Sequence, residues 1–487
     1  MLEREGNRDA EMTPPNYQTA REMIEGLRSR QISARELLDA HVARHEQLSK
    51  KINAVVAADL ERAYRDAQAI DEARAKGRPP GVLAGLPMTV KDGYDVENMP
   101  ASAGAPGLAN RDKHCGDAEL VRRARAQGAV IWGKSNVPYM LSDWQSYNAI
   151  YGTTNNPYDV TRVPGGSSGG AAAALASGIT PLEIGSDIGG SLRHPAAFCG
   201  VTSLKPSWGV LPMRGHVPPA PDEYYELDLG VGGPMARNAE DLRLLWTVLS
   251  GKNSGRKDVT GLRVAVWDED PNFPLSRDVK DGVARAAQAL EEQGARVEHI
   301  GSPLDTNHLM VTYRWILAPT LASGFPPELL AEMEKTRDAD LKAMGDNPDP
   351  WGAEFNRVCW TARFYEVARA FAARQKLKDR MAEFFTDYDA ILMPVGPVPA
   401  FPHDQSEPFF VRKLEVDGQS IPYPTMLCWI ALATTLHLPA LAAPAGQNAA
   451  GLPVGVQLVG PIDGEDRLFD LAAAAEEVLG GFRAPPL

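Results

Sequence analysis

Residues 162–178, RVPGGSSGGAAAALASG, place two serines between pairs of glycines. A hydroxyl in such a setting can attack a carbonyl, form a turn, or join a loop that wraps an anion. The G-x-S-x-G pattern is met twice, centred on Ser167 and on Ser168. A phosphate cradle would need G-x-x-x-x-G-K-[ST], or G-x-G-x-x-G directly after a strand, and neither surrounds Gly165. The preceding NNPYDVTRVP holds two prolines and many turn formers, so it makes a poor strand and a poor nucleophile elbow. A Ser-His-Asp hydrolase would also need a later histidine as base, and His403 and His437 stand in proline-rich or apolar surroundings. That arrangement stays an alternative.

A second glycine loop follows in PLEIGSDIGGSLRHPAAFCGV. PLEIG reads as a short buried strand, after which Ile188, Gly189, Gly190 and Ser191 form a turn with little side chain. Successive backbone N–H groups in such a turn can converge on a developing oxyanion, and a hydroxyl on the last residue is placed to attack. With no good histidine, the base that remains is a lysine made neutral by burial. Lys91, at the end of the apolar strand LPMTVK, fits, and Ser167 would relay the proton across the gap. Taken singly, Lys91 is more often a surface lysine, Ser167 a turn former and Ser191 a helix cap. Asp187 and Arg193 read equally well as an ion pair fixing the loop, and His194 as a packing residue.

The elements that must position these groups read as an α/β protein. Residues 16–78 are expected to be helical, with Ser33 and Glu36 in capping-box spacing ahead of Leu37, Leu38 and Val42. DAELVRRARAQG and AVIWGKS give a helix and a strand; LRVAVWDED and the residues to Ile300 give strand, helix, strand. Such alternation predicts a mostly parallel or mixed sheet. Residues 304–387 turn helical and aromatic, with Tyr313, Trp315, Phe325, Trp351, Trp360, Phe364 and Tyr365, and read as a layer over the sheet or a lid. No repeat or clear linker divides the chain, so a flexible tail over 1–15 and one domain over 16–487 are expected.

A net charge of −13 argues against a nucleic-acid partner. The polar, acidic N-terminus has no apolar core of a secretory signal, which predicts a cytoplasmic protein. The uncharged run 426–460 contains Pro439, Pro444 and Pro453 and reads as buried strands rather than a membrane span. Cys115, Cys199, Cys359 and Cys428 are far apart, without C-x-x-C spacing, and read as reduced core residues. The histidines show no ligand grouping, so no metal or other cofactor is expected.

The sequence resembles the amidase signature hydrolases in GLPMTVKDGYDV, WGKSNVPYM, YGTTNNPYDVTRVPGGSSGGAAAALASG, LEIGSDIGGSLRHPAAFCGVTSLKPSWG, GPMARNAEDLRLL and PAGQNAAGLPVGVQLVGP. The resemblance implies an α/β/α domain around a large twisted mixed sheet and a Ser-cisSer-Lys triad. Ser191 would be the nucleophile, Ser167 the serine after a cis peptide bond, and Lys91 the base. The N–H groups of Ile188, Gly189, Gly190 and Ser191 would form the oxyanion hole, supported by Ser168, Asp187 and Arg193. VPYMLSDWQS would line the acyl pocket with Tyr139, Met140, Leu141 and Trp144. The implied reaction is hydrolysis of aryl or hydrophobic amides, carbamates (urethanes) or esters by a monomer or homodimer. A glutamine-hydrolysing subunit of a tRNA-dependent amidotransferase is the alternative within the family. Two features depart from the pattern: Thr434 and His437 stand where the family often has Asn and Gly, and Glu183 is a charge in an apolar strand that either snorkels out or pairs with something the sequence does not identify.

Overall fold

The computed structural model describes residues 14–78, 81–110, 116–218, 225–253, 255–322, 325–345 and 348–487. The first described element is a 3-10 turn at Pro15–Tyr17, and most of the expected tail over 1–15 lies outside the described residues, as does Cys115. Two helices follow, α1 (Ala20–Arg28) and α2 (Ala34–Ile52). Both start on capping boxes: Ser33 Oγ accepts from the Glu36 N–H, and the Glu36 carboxylate accepts from the Ser33 N–H. The helical reading of 16–78 needs one correction, because the four residues Val55–Ala58, two valines and two alanines, are strand β1, placed between α2 and α3 (Leu60–Ala75). β1 forms because β3 offers it an edge to pair with, which a local pattern does not reveal.

Next come β2 (Pro87–Lys91), α4 (Glu119–Ala126), β3 (Val130–Ser135), the small ribbon β4 (Tyr147–Asn148) and β5 (Gly152–Thr153), α5 (Gly169–Ala176), β6 (Leu182–Asp187), α6 (Arg193–Cys199), β7 (Thr202–Lys205), β8 (Val231–Ala236) and α7 (Ala239–Ser250). The second half holds β9 (Arg263–Val266), α8 (Arg277–Glu292) and β10 (Arg296–His299). After the helices α9 (Thr306–Ala322), α10 (Pro327–Glu334), α11 (Arg337–Met344), α12 (Ala353–Trp360) and α13 (Phe364–Asp387) come β11 (Ala390–Pro394) and the ribbon β12 (Lys413–Val416) and β13 (Gln419–Pro422). The chain closes with α14 (Ala431–Thr435), β14 (Ala440–Gln447), β15 (Pro453–Val459) and α15 (Glu465–Leu479). The run 426–460 is therefore a short helix and two strands, not strands alone.

Eleven strands form one mixed sheet in the order β1-β3-β2-β6-β8-β7-β14-β15-β11-β9-β10. β3, β2 and β6 are mutually parallel, as are β11, β9 and β10, while the strands between are antiparallel. This is an α/β fold. Two large apolar clusters fill the space between the sheet and its helices. The 304–387 segment divides: Leu309, Tyr313 and Ile316 of α9 and Leu377 and Met381 of α13 join the sheet's cluster, whereas Phe355 and Cys359 of α12 build a small one with Ala318. Its aromatics do not all pack a core, for Phe364 is 82% and Tyr365 58% exposed.

Candidate active site

β2 and β6 pair in parallel, Thr89 opposite Glu183 and Val90 opposite Ile184, so both strands deliver their carboxyl ends to one edge of the sheet. That edge is where open α/β sheets place ligands, because the loops leaving it are free to converge. β2 ends in Lys91 and β6 in Ser186 and Asp187; the loop beyond β6 leads into α6, and the segment beyond the neighbouring β3 leads, by way of β4 and β5, into α5. α5 is Gly-Ala rich so that its start can press on the end of β3: a Cβ on Gly170 would stand 2.3 Å from the Asn136 nitrogen. Ser167 and Ser168 lie just before α5, and the peptide bond Gly166–Ser167 is cis. The Ser168 N–H donates to the Ser191 carbonyl at 3.2 Å, which joins the two glycine loops.

The Lys91 amine is fully buried and lies 2.8 Å from Ser167 Oγ, 2.9 Å from Ser168 Oγ, 2.9 Å from Ser186 Oγ and 3.3 Å from the Ser186 carbonyl. Burial lowers its pKa to about 7, against the pull of the Asp187 and Glu183 charges. An amine uncharged near neutral pH and 2.8 Å from a hydroxyl can take its proton. No histidine among the described residues bonds to Ser167, Ser168 or Ser191. His194 is held well below its usual range, to about 3, by burial and by Arg193, and its Nε2 meets the Met426 carbonyl. His437 is engaged elsewhere, which removes the support for a Ser-His-Asp arrangement.

Asp187 and Arg193 form a buried two-pronged pair, Nε to Oδ2 at 3.1 Å and Nη2 to Oδ1 at 3.0 Å. Burial by itself would raise the Asp187 carboxyl, but Arg193 and the Leu192 amide hold it well below the usual carboxylate range. Asp187 also shapes the loop, since the Gly190 N–H donates to its Oδ1 at 2.9 Å. Gly190 has φ +90° and a Cβ there would meet His194 at 2.4 Å, so only glycine fits. The four-donor nest read from the sequence therefore loses one member: the Gly190 amide is spent on Asp187, and the amides of Ile188, Gly189 and Ser191 remain without an acceptor among the described residues. Two aromatic groups set the peptide planes. Tyr313 Oη donates to the Ile188 carbonyl at 3.0 Å, and the Trp144 indole N–H donates to the Gly189 carbonyl at 2.8 Å. In a planar trans peptide the N–H points opposite the C=O, so these bonds turn the Gly189 amide away from Tyr313 and the Gly190 amide toward Asp187.

The four residues expected to line a pocket have different surroundings. Trp144 is buried against the Ile188–Ser191 loop, and Leu141 packs beside Gly93, two residues beyond Lys91. Met140 and Leu141 both have left-handed backbones, φ +48° and +58°, a tight turn pinned by the Met140 N–H on the Ala103 carbonyl. Tyr139 is 61% exposed. The wall that carries Trp144 is fixed by Asp143, whose carboxylate takes Arg412 at 2.6 Å and the Tyr423 hydroxyl at 2.7 Å. Tyr313, Leu427, His216 and Arg412 carry no local motif, while Ser186 and Asp143 lie inside the quoted LEIGSDIGGS and VPYMLSDWQS segments without a feature of their own; only long-range contacts single these six out.

Both departures find a place. The Thr434 hydroxyl accepts from Arg193 Nη2 at 2.7 Å, and with the Ile430 carbonyl, Gln457 and Asp187 it satisfies all five guanidinium N–H groups. His437 adopts φ +66°, the conformation that favours glycine, and its ring stacks on Trp208 at 4.8 Å while donating to Asp228 at 2.7 Å. Glu183 does not snorkel: it is fully buried and accepts the Thr89 hydroxyl at 2.7 Å and its neighbour's amide at 3.0 Å. Burial raises it to about 7 in spite of those bonds. Among the described residues no group of three or more His, Cys, Asp or Glu is arranged to hold a metal ion, and no helix is long and apolar enough to cross a membrane.

An eleven-stranded mixed sheet with polar groups gathered at its parallel carboxyl edge defines an α/β enzyme, and comparison with known proteins gives its family. The chain belongs to the Amidase family, whose sequence model matches residues 36–469, and it is a hydrolase of that amidase signature group acting on carbon–nitrogen bonds. It is 31% identical to a glutamyl-tRNA(Gln) amidotransferase subunit from Cyanothece sp. (strain PCC 7425 / ATCC 29141), over 94% of this chain and 97% of that protein. A solved structure described as a vestigial protein complex that reveals the origins of an s-triazine catabolic enzyme matches with TM-score 0.79 at 28% identity, over 96% of this chain and 100% of that one. A bacterial aryl acylamidase of the amidase signature family has the same fold, with TM-score 0.78 at 23% identity over 96% of this chain and 97% of that one.

Proposed function

We propose that this chain, folded as one domain over 16–487, hydrolyses aryl or hydrophobic amides, and carbamates and esters of similar shape, through an acyl-enzyme. Ser191 attacks the carbonyl, Ser167 passes its proton to neutral Lys91, and the amides of Ile188, Gly189 and Ser191 receive the oxyanion. Ser168, Asp187 and Arg193 keep the two loops in register. Lys91 then returns the proton through Ser167 to the leaving amine, and water repeats the cycle on the ester. The observation that carries this reading is the buried Lys91 amine, bonded to no carboxylate among the described residues and 2.8 Å from Ser167 Oγ. The scheme calls for no cofactor. The substrate is a small molecule rather than a nucleic acid, and the enzyme works as a cytoplasmic monomer or homodimer.

The preference for apolar substrates rests on the side chains around the loop. A Cβ on Gly189 would find Leu427 at 3.6 Å and the Tyr313 hydroxyl at 4.0 Å, with Trp144 bonded to the same residue. The second reading, a glutamine-hydrolysing subunit of an amidotransferase, is favoured by the nearly full-length likeness to proteins of that name. The deciding experiment is a panel of anilides, short aliphatic amides, glutamine, esters and aryl carbamates given to the purified chain alone. Turnover of anilides or carbamates, fluorophosphonate labelling that disappears in Ser191→Ala, and loss of activity in Lys91→Ala are expected. Glutamine hydrolysis that appears only with added partner proteins supports the second reading, and labelling retained in Ser191→Ala overturns the triad.

A further inference from the structure

A neutral lysine amine has two N–H donors and one lone pair, and it accepts a proton from Ser167 only if the lone pair points there. Three hydroxyls compete for it, those of Ser167, Ser168 and Ser186, all within 2.9 Å of Lys91 Nζ. Each hydroxyl brings a single hydrogen. If Ser168 or Ser186 aimed its hydrogen at the amine, the lone pair would be occupied by a group that does not lead to the substrate. What decides is where those two hydrogens go.

The Ser168 hydroxyl donates to the Ser186 carbonyl at 3.2 Å, so its oxygen is left to accept from Lys91. Ser186 Oγ has one other partner among the described residues, His216 Nε2, at 2.8 Å. The far side of that ring fixes its tautomer: Nδ1 lies 2.8 Å from the Pro218 carbonyl, which only accepts, so the hydrogen is on Nδ1. Burial, the larger cause, holds the imidazole neutral even with Lys91 uncharged, and a protonated Lys91 would only add to it; Nε2 is therefore an acceptor. The groups whose charge reaches His216 are Lys91 and Lys134, and those acting on Lys91 are Asp187 and Glu183. The ring cannot swing away, because Tyr94 meets it edge-on at 4.8 Å, and its segment is tied to the chain just past Lys91 by Val217 N–H to Gly93 O at 2.7 Å and Asp95 N–H to Gly215 O at 2.8 Å.

We propose that His216 is a positioning residue for the proton transfer: by accepting the Ser186 hydroxyl it makes Ser186 Oγ an acceptor for Lys91, and so leaves the lysine lone pair for Ser167 alone. The inference rests on the reading of Lys91 as base. The chain of bonds Pro218 C=O, His216, Ser186, Lys91, Ser167 has one consistent direction, set from its far end. Nothing in it needs His216 to change protonation during turnover.

The test compares His216→Phe and His216→Gln, each alone and with Ser186→Ala, by kcat, KM and pH profile on an anilide or carbamate. His216→Phe frees the Ser186 hydroxyl to donate to the amine, and the expected result is a fall in kcat of roughly tenfold or more with KM unchanged. A hydrogen bond donated to the neutral amine favours that form, so the acidic limb of the profile moves to lower pH, which a merely structural defect would not do. His216→Gln, whose side-chain carbonyl can accept, restores most of the rate. With Ser186→Ala there is no hydroxyl to misdirect, and adding His216→Phe costs nothing more. His216→Met is read in the same way should the phenylalanine variant not fold. Wild-type kcat in the apolar variants, or losses that multiply in the double variant, overturn the proposal while leaving Lys91 as base; activity retained in Lys91→Ala sinks the base assignment itself.

Discussion

Titration of Lys91 is the sharpest consequence of its burial. The proposed base must be uncharged to act, so kcat/KM should rise with pH along the lysine's deprotonation curve and level off above it. With the amine lowered to about 7, the neutral fraction is about 0.09 at pH 6 and about 0.9 at pH 8, a rise of about tenfold. A lysine at its ordinary value would give a rise of about a hundredfold over the same interval and keep climbing to pH 10. Glu183 titrates in the same window, near 7, and would confuse the assignment. Glu183→Gln separates the two. Its charge raises the Lys91 value, so removing it should keep the limb and shift it to lower pH, whereas a limb belonging to Glu183 would vanish. The assay is kcat/KM from about pH 5.5 to about pH 9.5 at constant ionic strength, a span that brackets both groups. A limb absent from Glu183→Gln, or a rate still climbing about tenfold per unit above about pH 8.5, refutes the reasoning.

Two further outcomes test the surroundings. Thr434→Val leaves one Arg193 N–H without a partner in a site closed to water, and a lost bond to a charged group costs about 2 kcal/mol, or about 2 °C in a chain of this size; calorimetry should show that drop in Thr434→Val and not in Thr434→Ser, and equal melting temperatures would remove the case for Thr434 as the guanidinium's acceptor. His437→Ala and His437→Gly both lose the Asp228 and Trp208 contacts, but only alanine keeps the cost of a left-handed backbone, so the glycine variant should be the more stable by about 1 kcal/mol in denaturant unfolding. The reverse order would mean that φ +66° is not what the position demands.

The parts of the site that lie along the chain were legible in it. A lysine closing an apolar strand, two glycine loops and an alanine helix are local patterns, and each element formed where the pattern put it. What the residues alone did not give were partners joined across the fold. His216 stands 30 positions from Ser186 in a proline-rich stretch, and its role is visible only once its two ring nitrogens have neighbours. Tyr313 reads as one aromatic among many in a helical segment, yet its hydroxyl holds the Ile188 carbonyl. The Gly190 amide shows the opposite failure: glycine spacing suggests a free donor, but a carboxylate three residues back takes it. β1 was missed because its four residues are fewer than a period argument can use, and the aromatic stripe misled because Phe364 and Tyr365 face water.

Thr434 and His437 are better understood together than as two departures. They lie three residues apart, at the end of α14 and in the turn that leads to β14, and they act in opposite directions. Thr434 reaches inward to Arg193 and through it to Asp187, which holds the Gly190 and Leu192 amides. His437 reaches outward: Nε2–H donates to Asp228, Arg374 of α13 bonds the same carboxylate, and Lys378 of α13 donates to Nδ1 at 2.9 Å. The Asp228 carboxylate only accepts and is the nearer neighbour of Nε2, at 2.7 Å against 3.1 Å for Arg374 Nη1, so the hydrogen is on Nε2 and Nδ1 accepts from Lys378; burial keeps the ring neutral, in keeping with a value pushed down to about 4. One turn of chain thus connects the loop that would hold the oxyanion with the long helix of the 304–387 segment. Tyr313 makes the second link between that segment and the same loop. The Ile188–Ser191 loop is therefore tied to the helical segment from both of its ends, at Ile188 through Tyr313 of α9 and beyond Ser191 through Arg193, Thr434 and His437 to α13.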